Sequence, residues 1–148
     1  NLIDSSFYKT DKSKTLEERA EDFLSNVLRP LSVVHEIHEI RVEEPFSMFS
    51  GGKTTAKTMR LYNALTNDQP TVLQMFDKSP TMVGATTARS RCGIKVPRGT
   101  KAKVVVLEWV DNKFDKFIME HTRHGNPKPG LDDEADAIVV ALSHFDLR

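Results

Sequence analysis

The sequence predicts an α/β fold, a sheet covered by helices, built as one domain over residues 1–148. Segments rich in β-branched and aromatic residues alternate with segments of helical period, in the order strand–helix–strand–helix–strand and then mostly helix. A chain of 148 residues with 39% hydrophobic and 28% charged content can bury a real core. No linker, low-complexity stretch or zinc-type spacing interrupts it.

Each element has its own local reason. "LIDSSFYKT" (2–10) reads as a strand from its β-branched and aromatic content. "KTLEERAEDFLSNVLRPL" (14–31) reads as a helix: Thr15 and Glu18 have capping-box spacing, and Leu16, Ala20, Phe23, Leu24, Val27 and Leu28 form one stripe. Pro30 is expected to end it. "EIHEIRVEE" (36–44) is a second strand, stopped by Pro45, and "PFSMFSGG" (45–52) is a loop. A helix over 53–67 and a short strand over 71–76 follow. Residues 79–92 read as a helix with Ser79 as N-cap and Pro80 at its first position. Residues 96–114 read as a loop running into a helix, although the Val-rich stretch is also compatible with a strand. "HTRHGNPKPG" (121–130) is a loop, and the last helix is expected over about 132–146.

Composition excludes some functions and admits others. No run approaches the ~18 apolar residues of a membrane span. The single cysteine, Cys92, cannot form an internal disulfide, which fits a reducing, cytoplasmic setting. Net charge is zero, yet residues 53–103 hold ten Lys or Arg against Asp68 and Asp77, while the rest hold eleven against nineteen acidic residues. A basic middle between acidic ends suits a phosphate-binding surface beside a carboxylate cluster; segregated solvated helix faces are the alternative. "GGK" at 51–53 lacks the spacing of a phosphate-cradling loop.

The acidic start of the last helix carries the chemistry. Asp132 as N-cap with Asp133 and Glu134 in the first turn is ordinary, since free N–H groups there attract negative charge. Asp136 is not, because it lies a turn further in, beside the apolar stripe Ala135, Ile138, Val139, Leu142 and Phe145. Asp133 and Asp136 are three apart and share a helix face, and a divalent cation would offset both their repulsion and their desolvation. Glu43 and Glu44 close strand 36–44 and are either solvated edge charge or the other half of such a site.

These residues resemble a known pattern. "DEADAIVVALSH" resembles the "D-A-A-D-A-L-A-x-A" ending of the RuvC family of Holliday junction resolvases, within the ribonuclease H-like superfamily. "IRVEEPF" resembles that family's "IEQ-x-F" strand end, "KTLEERAEDFLSNV" its "L-x-E-R" helix, and "SPTMVGATTARSRCGI" with "PRGTKAKVVVLEWV" its proline-led segment and "G-x-x-x-K" helix start. The likeness spans nearly the whole chain in order, and "PFSMFSGGKTT" looks more like phage-encoded members.

The resemblance implies a ribonuclease H-like mixed sheet flanked by helices and a Mg²⁺-dependent endonuclease, with Mn²⁺ also usable, that resolves four-way DNA junctions by paired nicks. It implies Glu43, Asp133 and Asp136 as ligands of two ions and Lys103 facing the scissile phosphate. Lys53, Lys57, Arg60, Arg89, Arg91, Lys95, Arg98 and Lys101 would grip DNA, and Phe46 and Phe49 would either wedge into the junction or pack internally. A homodimer is implied, with Met59, Tyr62 and Leu65 at its interface or in the core, acting in a bacterial cell or a phage-infected host. The family's first aspartate stands in a "G-[IL]-D" context on an opening strand. Asp4 lies only thirty-nine residues before Glu43, too close to match it, and "LIDSSFYKT" aligns better with the third strand. The opening strand and its aspartate are therefore expected to be missing from these 148 residues, which begin at Asn1 without a Met. Rival expectations are a broad branched-DNA nuclease and a junction-binding protein without catalysis. His121 and His124 read as surface-loop residues, His144 as structural and Trp109 as core.

Overall fold

The computed structural model describes residues 2–44, 63 and 80–148. The expected loop 45–52, strand 71–76 and Ser79 lie outside these residues, as do Lys53, Lys57, Arg60, Phe46, Phe49, Met59, Tyr62 and Leu65. Of the helix expected over 53–67 only Asn63 is described, and it is helical. The chain divides into two compact units, Asn1–Phe7 with Val83–Arg148, and Tyr8–Met82. The described residues form a mixed α/β arrangement of helices with a two-stranded parallel sheet. Among them, no helix is long and apolar enough to cross a membrane.

In the Tyr8–Met82 unit, α1 (Leu16–Phe23) opens on the expected capping box. The Thr15 hydroxyl accepts from the Glu18 N–H at 3.2 Å, and the Glu18 carboxylate accepts from the Thr15 N–H at 2.8 Å. Ala20 and Leu24 are the buried members of the stripe. Pro30 does not end this helix. A π turn over Leu24–Leu28 leads directly into α2 (Arg29–Val34), with the Arg29 N–H reaching back to Leu24 O. The wider turn brings Pro30 into the first turn of a new helical segment, where a missing N–H costs least. The strand β1 is confined to Arg41–Glu43.

The helix expected over 79–92 starts late. Thr81–Val83 form β2, paired with β1, and the Thr81 N–H donates to Ile40 O at 2.8 Å. Only after Gly84 does α3 (Ala85–Arg91) begin. The β-branched Thr81 and Val83 favour the extended conformation, and burial of Val83 overrides the Pro80 start signal.

Residues 2–10 form no strand. Their two halves engage different units through side chains instead of a backbone ladder. In the first unit, the Ser5 hydroxyl donates to Glu134 at 2.6 Å. In the second, Tyr8 packs on Phe23 with ring centroids 5.8 Å apart, and Arg19 donates to Thr10.

The core of the first unit comes from α3, α4 (Ala102–Lys113) and α5 (Leu131–Leu142). Val106, Leu107 and Val110 of α4 share one buried cluster with Ala135, Ile138, Val139 and Val140 of α5. The Val-rich stretch is thus helical, with Val106 and Val110 buried on one helical face, Val105 half-buried and Val104 exposed. Cys92 is buried after α3, its thiol donating to Val139 O at 3.5 Å, and burial pushes that thiol up from its ordinary pKa. Trp109 is half-buried against the cluster, with the Lys113 ammonium 4.9 Å from its ring centre. Because α5 ends at Leu142, Phe145 falls outside the expected stripe and is 67% exposed.

The N-cap of α5 is Gly130, not Asp132. Its φ of 98° is left-handed, and a Cβ placed there would lie 2.6 Å from the Phe7 ring. Glycine alone satisfies both demands. Gly130→Ala is expected to destabilise the chain by about 1–3 kcal/mol from backbone strain, with the Phe7 clash adding to it. A Phe7→Ala background should reduce the effect of the glycine change. Chemical denaturation of the four proteins checks this; an unchanged midpoint for Gly130→Ala would contradict it.

Candidate active site

The N-terminal turns of α4 and α5 bring together four of the charged residues singled out in the sequence. Lys101 caps α4 in extended conformation, which places Lys103 in the helix's first turn. A lysine there opposes the helix dipole, and the opposition is met across the packed pair of helices. Lys103 Nζ donates to Asp132 Oδ2 at 2.6 Å and lies 4.0 Å from Asp133 Oδ1. The hydrogen bond donated to Asp132, with the fields of Asp132, Asp133 and Asp136, raises the Lys103 pKa above its ordinary value. The same bond lowers that of Asp132. The Lys103 side chain is 63% exposed, so the pair contributes only about 0–1 kcal/mol. Its effect is to aim a fixed positive charge.

Asp136 is in a different state. It is half-buried on α5, and burial pushes its carboxyl above the ordinary carboxylate range. Lys103 and Arg89 oppose that rise, while Asp132 and Asp133 reinforce it. Asp133, exposed and three residues earlier, shares its helix face. A desolvated carboxylate beside a second one offers oxygen donors to a hard divalent cation, and Mg²⁺ commonly uses one or two carboxylates with waters completing its shell. The chemistry of Asp133 and Asp136 fits that requirement. Among the described residues, no three His, Cys, Asp or Glu side chains form a metal-binding group.

The start of α5 is braced from the preceding loop. Lys128 pairs with Glu120 at 2.5 Å, its N–H donates to Glu120 O, and His121 bridges Pro127. His124 accepts from Arg123 Nε at 3.0 Å and His121 is exposed, in keeping with surface-loop positions. Ser5, through Glu134, and Phe7, over Gly130, complete the bracing.

The remaining site residues stand on other elements. Glu43 ends β1, exposed, in the Tyr8–Met82 unit. Lys95, Arg98 and Lys101 are exposed along the segment between α3 and α4. Arg89 donates to Thr86 at 3.2 Å. Arg91 is half-buried and donates to Ser143 O at 3.4 Å, so part of its role is to tie α3 to the end of α5. Sequence reasoning missed Asp132 as the direct partner of Lys103, because twenty-nine residues separate them and only the helix pairing joins them. It also missed the bracing by Phe7 over Gly130; the Pro-Gly pair at 129–130, just before the helix, is the local signal that marks that backbone position.

No protein-family model, curated protein or solved structure matches the chain.

The two aspartates respond oppositely to pH. The folded-state pKa of Asp136 is raised, so the native state loses stability as pH rises from the unfolded value, ~3.9, through the folded one. That of Asp132 is lowered, so its contribution is present above the unfolded value and is lost as pH falls through the folded one. In chelator, Asp136→Asn is therefore expected to raise the melting temperature at neutral pH and to leave it unchanged below the ordinary aspartate range. Asp132→Asn should lower it at neutral pH. Thermal melts across pH check both, and a lower neutral-pH melting temperature for Asp136→Asn would contradict the account.

Proposed function

We propose that this chain is a metal-dependent, structure-selective endonuclease that resolves four-way and other branched DNA junctions by paired nicks, built on a ribonuclease H-like fold. The observation that carries the reading is the placement of Lys103 against the acidic start of α5. It supports the resemblance of "DEADAIVVALSH" and "PRGTKAKVVVLEWV" to the RuvC family. A cation beside paired carboxylates suits metal-assisted phosphodiester hydrolysis: one group would meet the phosphate, and the others would hold a hard cation.

In this reading Asp133 and Asp136 would hold Mg²⁺ or Mn²⁺; the resemblance to the RuvC family adds Glu43 as a further carboxylate and implies two ions for each site. Such ions supply a nucleophilic water at neutral pH and stabilise the departing oxygen. The residues of the chain do the rest. Asp132 orients the Lys103 ammonium, which offsets charge developing on the scissile phosphate. Asp136, half-buried, keeps its carboxylate costly to ionise until a cation compensates it. Arg89, Lys95, Arg98 and Lys101, with Lys53, Lys57 and Arg60, grip the sugar–phosphate strands, contacts that set position and weaken with salt. Two symmetric nicks call for two sites, hence a homodimer, working inside a bacterial or phage-infected cell.

The test is cleavage of a labelled four-way junction in Mg²⁺, beside Y, flap and duplex substrates, with binding followed in Ca²⁺. The expected result is paired nicks in the junction that chelator abolishes. Asp136→Asn should reduce cleavage about 10²-fold or more while binding remains and still weakens with salt. Equal cutting of every branched substrate would mean a broad branched-DNA nuclease. Junction binding without nicking would mean a binding protein. Absence of salt-dependent DNA binding would overturn the reading.

A further inference from the structure

Between α3 and the C-terminal residues the first unit carries an open cavity of about 710 Å³, within the size range of small-ligand sites. Its lining includes Arg89 of α3 with Ile94, Lys95 and Val96 of the following segment, and Leu147 and Arg148 of the C-terminus. Two kinds of chemistry meet there. Arg89 and Lys95 provide net positive charge, since the Arg148 guanidinium is already taken by Asp146. Ile94, Val96 and Leu147 provide apolar surface, of which Val96 and Leu147 are 37% and 41% exposed. An inorganic anion would satisfy the cations and leave the apolar lining uncovered. An apolar molecule would leave the cations unanswered.

We propose that this cavity holds one unpaired nucleotide of a single-stranded DNA segment, its phosphate against Arg89 and Lys95 and its base against Ile94, Val96 and Leu147. The inference rests on the DNA-processing reading and extends it from the phosphate backbone to an extruded or unpaired base. A strand fits better than a free nucleotide because the cations do not stop at the cavity. Lys95 is followed on the same exposed segment by Arg98 and Lys101, which lead to Lys103 and could follow consecutive phosphates. Arg89 also belongs to two settings at once, lining the cavity and acting electrostatically on Asp136. Arg89 thereby links the cavity electrostatically to the acidic helix.

The experiment is a fluorescence-anisotropy titration, in Ca²⁺, of a short oligothymidylate, a four-way junction and a fully paired duplex. It compares the wild-type chain with Val96→Glu and the uncharged Val96→Gln, and thermal melts confirm that both variants fold. The expected result is about tenfold weaker binding of the oligothymidylate by Val96→Glu, a smaller loss in the same direction for Val96→Gln, and unchanged duplex binding. Thymidine 5′-phosphate should compete far less well than the oligonucleotide. Unchanged oligothymidylate binding by both variants, while wild type still binds the junction, overturns the cavity assignment alone. An equal loss on duplex overturns it too, as general charge repulsion, and competition by thymidine 5′-phosphate as strong as that of the oligonucleotide reassigns the cavity to a free nucleotide. Failure of wild type to bind any of the DNAs overturns the functional reading itself.

Discussion

The packing of α4 against α5 is the constraint on which the rest of the first unit depends. Val106 and Val110 are almost wholly buried, and Ala135 and Val139 from the other helix are buried with them in one cluster. Truncating any of the branched residues would cost several times what the exposed Lys103–Asp132 pair contributes. The hydrophobic contact therefore sets the geometry, and the ion pair takes advantage of it. Alanine at position 135, fully buried, occupies little space where the helices share their core. The charged ends of both helices are carried into proximity by side chains that have no charge at all.

That division of labour explains why the acidic cluster is tolerated. Asp132 has a cation, Asp133 has solvent, and Glu134 has the Ser5 hydroxyl. Asp136 alone is left with burial as its dominant influence. Its burial works against ionisation, and a desolvated carboxylate near a lysine suits metal-assisted phosphoryl chemistry. The functional proposal turns on this imbalance and not on the number of acidic residues.

Several features could be read directly from the sequence because their causes are local. The capping box of Thr15 and Glu18 needs only four consecutive residues, and both of its hydrogen bonds form. The shared face of Asp133 and Asp136 follows from helical spacing. Features decided by distant contacts were less legible. Pro30 reads as a stop, yet a π turn absorbs it. Residues 81–83 read as helix after Ser79 and Pro80, yet β pairing and burial of Val83 make them a strand. Asp132 reads as a cap, yet Gly130 begins the helix because Phe7 closes over it and the backbone turns left-handed. The Asp132–Lys103 pair has no trace in the spacing at all.

If the proposed function holds, the carboxylates at the start of α5, beside Lys103, receive a divalent cation. Paramagnetic broadening by substoichiometric Mn²⁺ in a two-dimensional amide spectrum tests it directly. The account predicts selective loss of the Asp133–Ala137 and Lys103 amide signals, reversed by excess Mg²⁺ and absent in a protein carrying both Asp133→Asn and Asp136→Asn. Broadening that leaves these amides untouched, or that persists in the double variant, would contradict it.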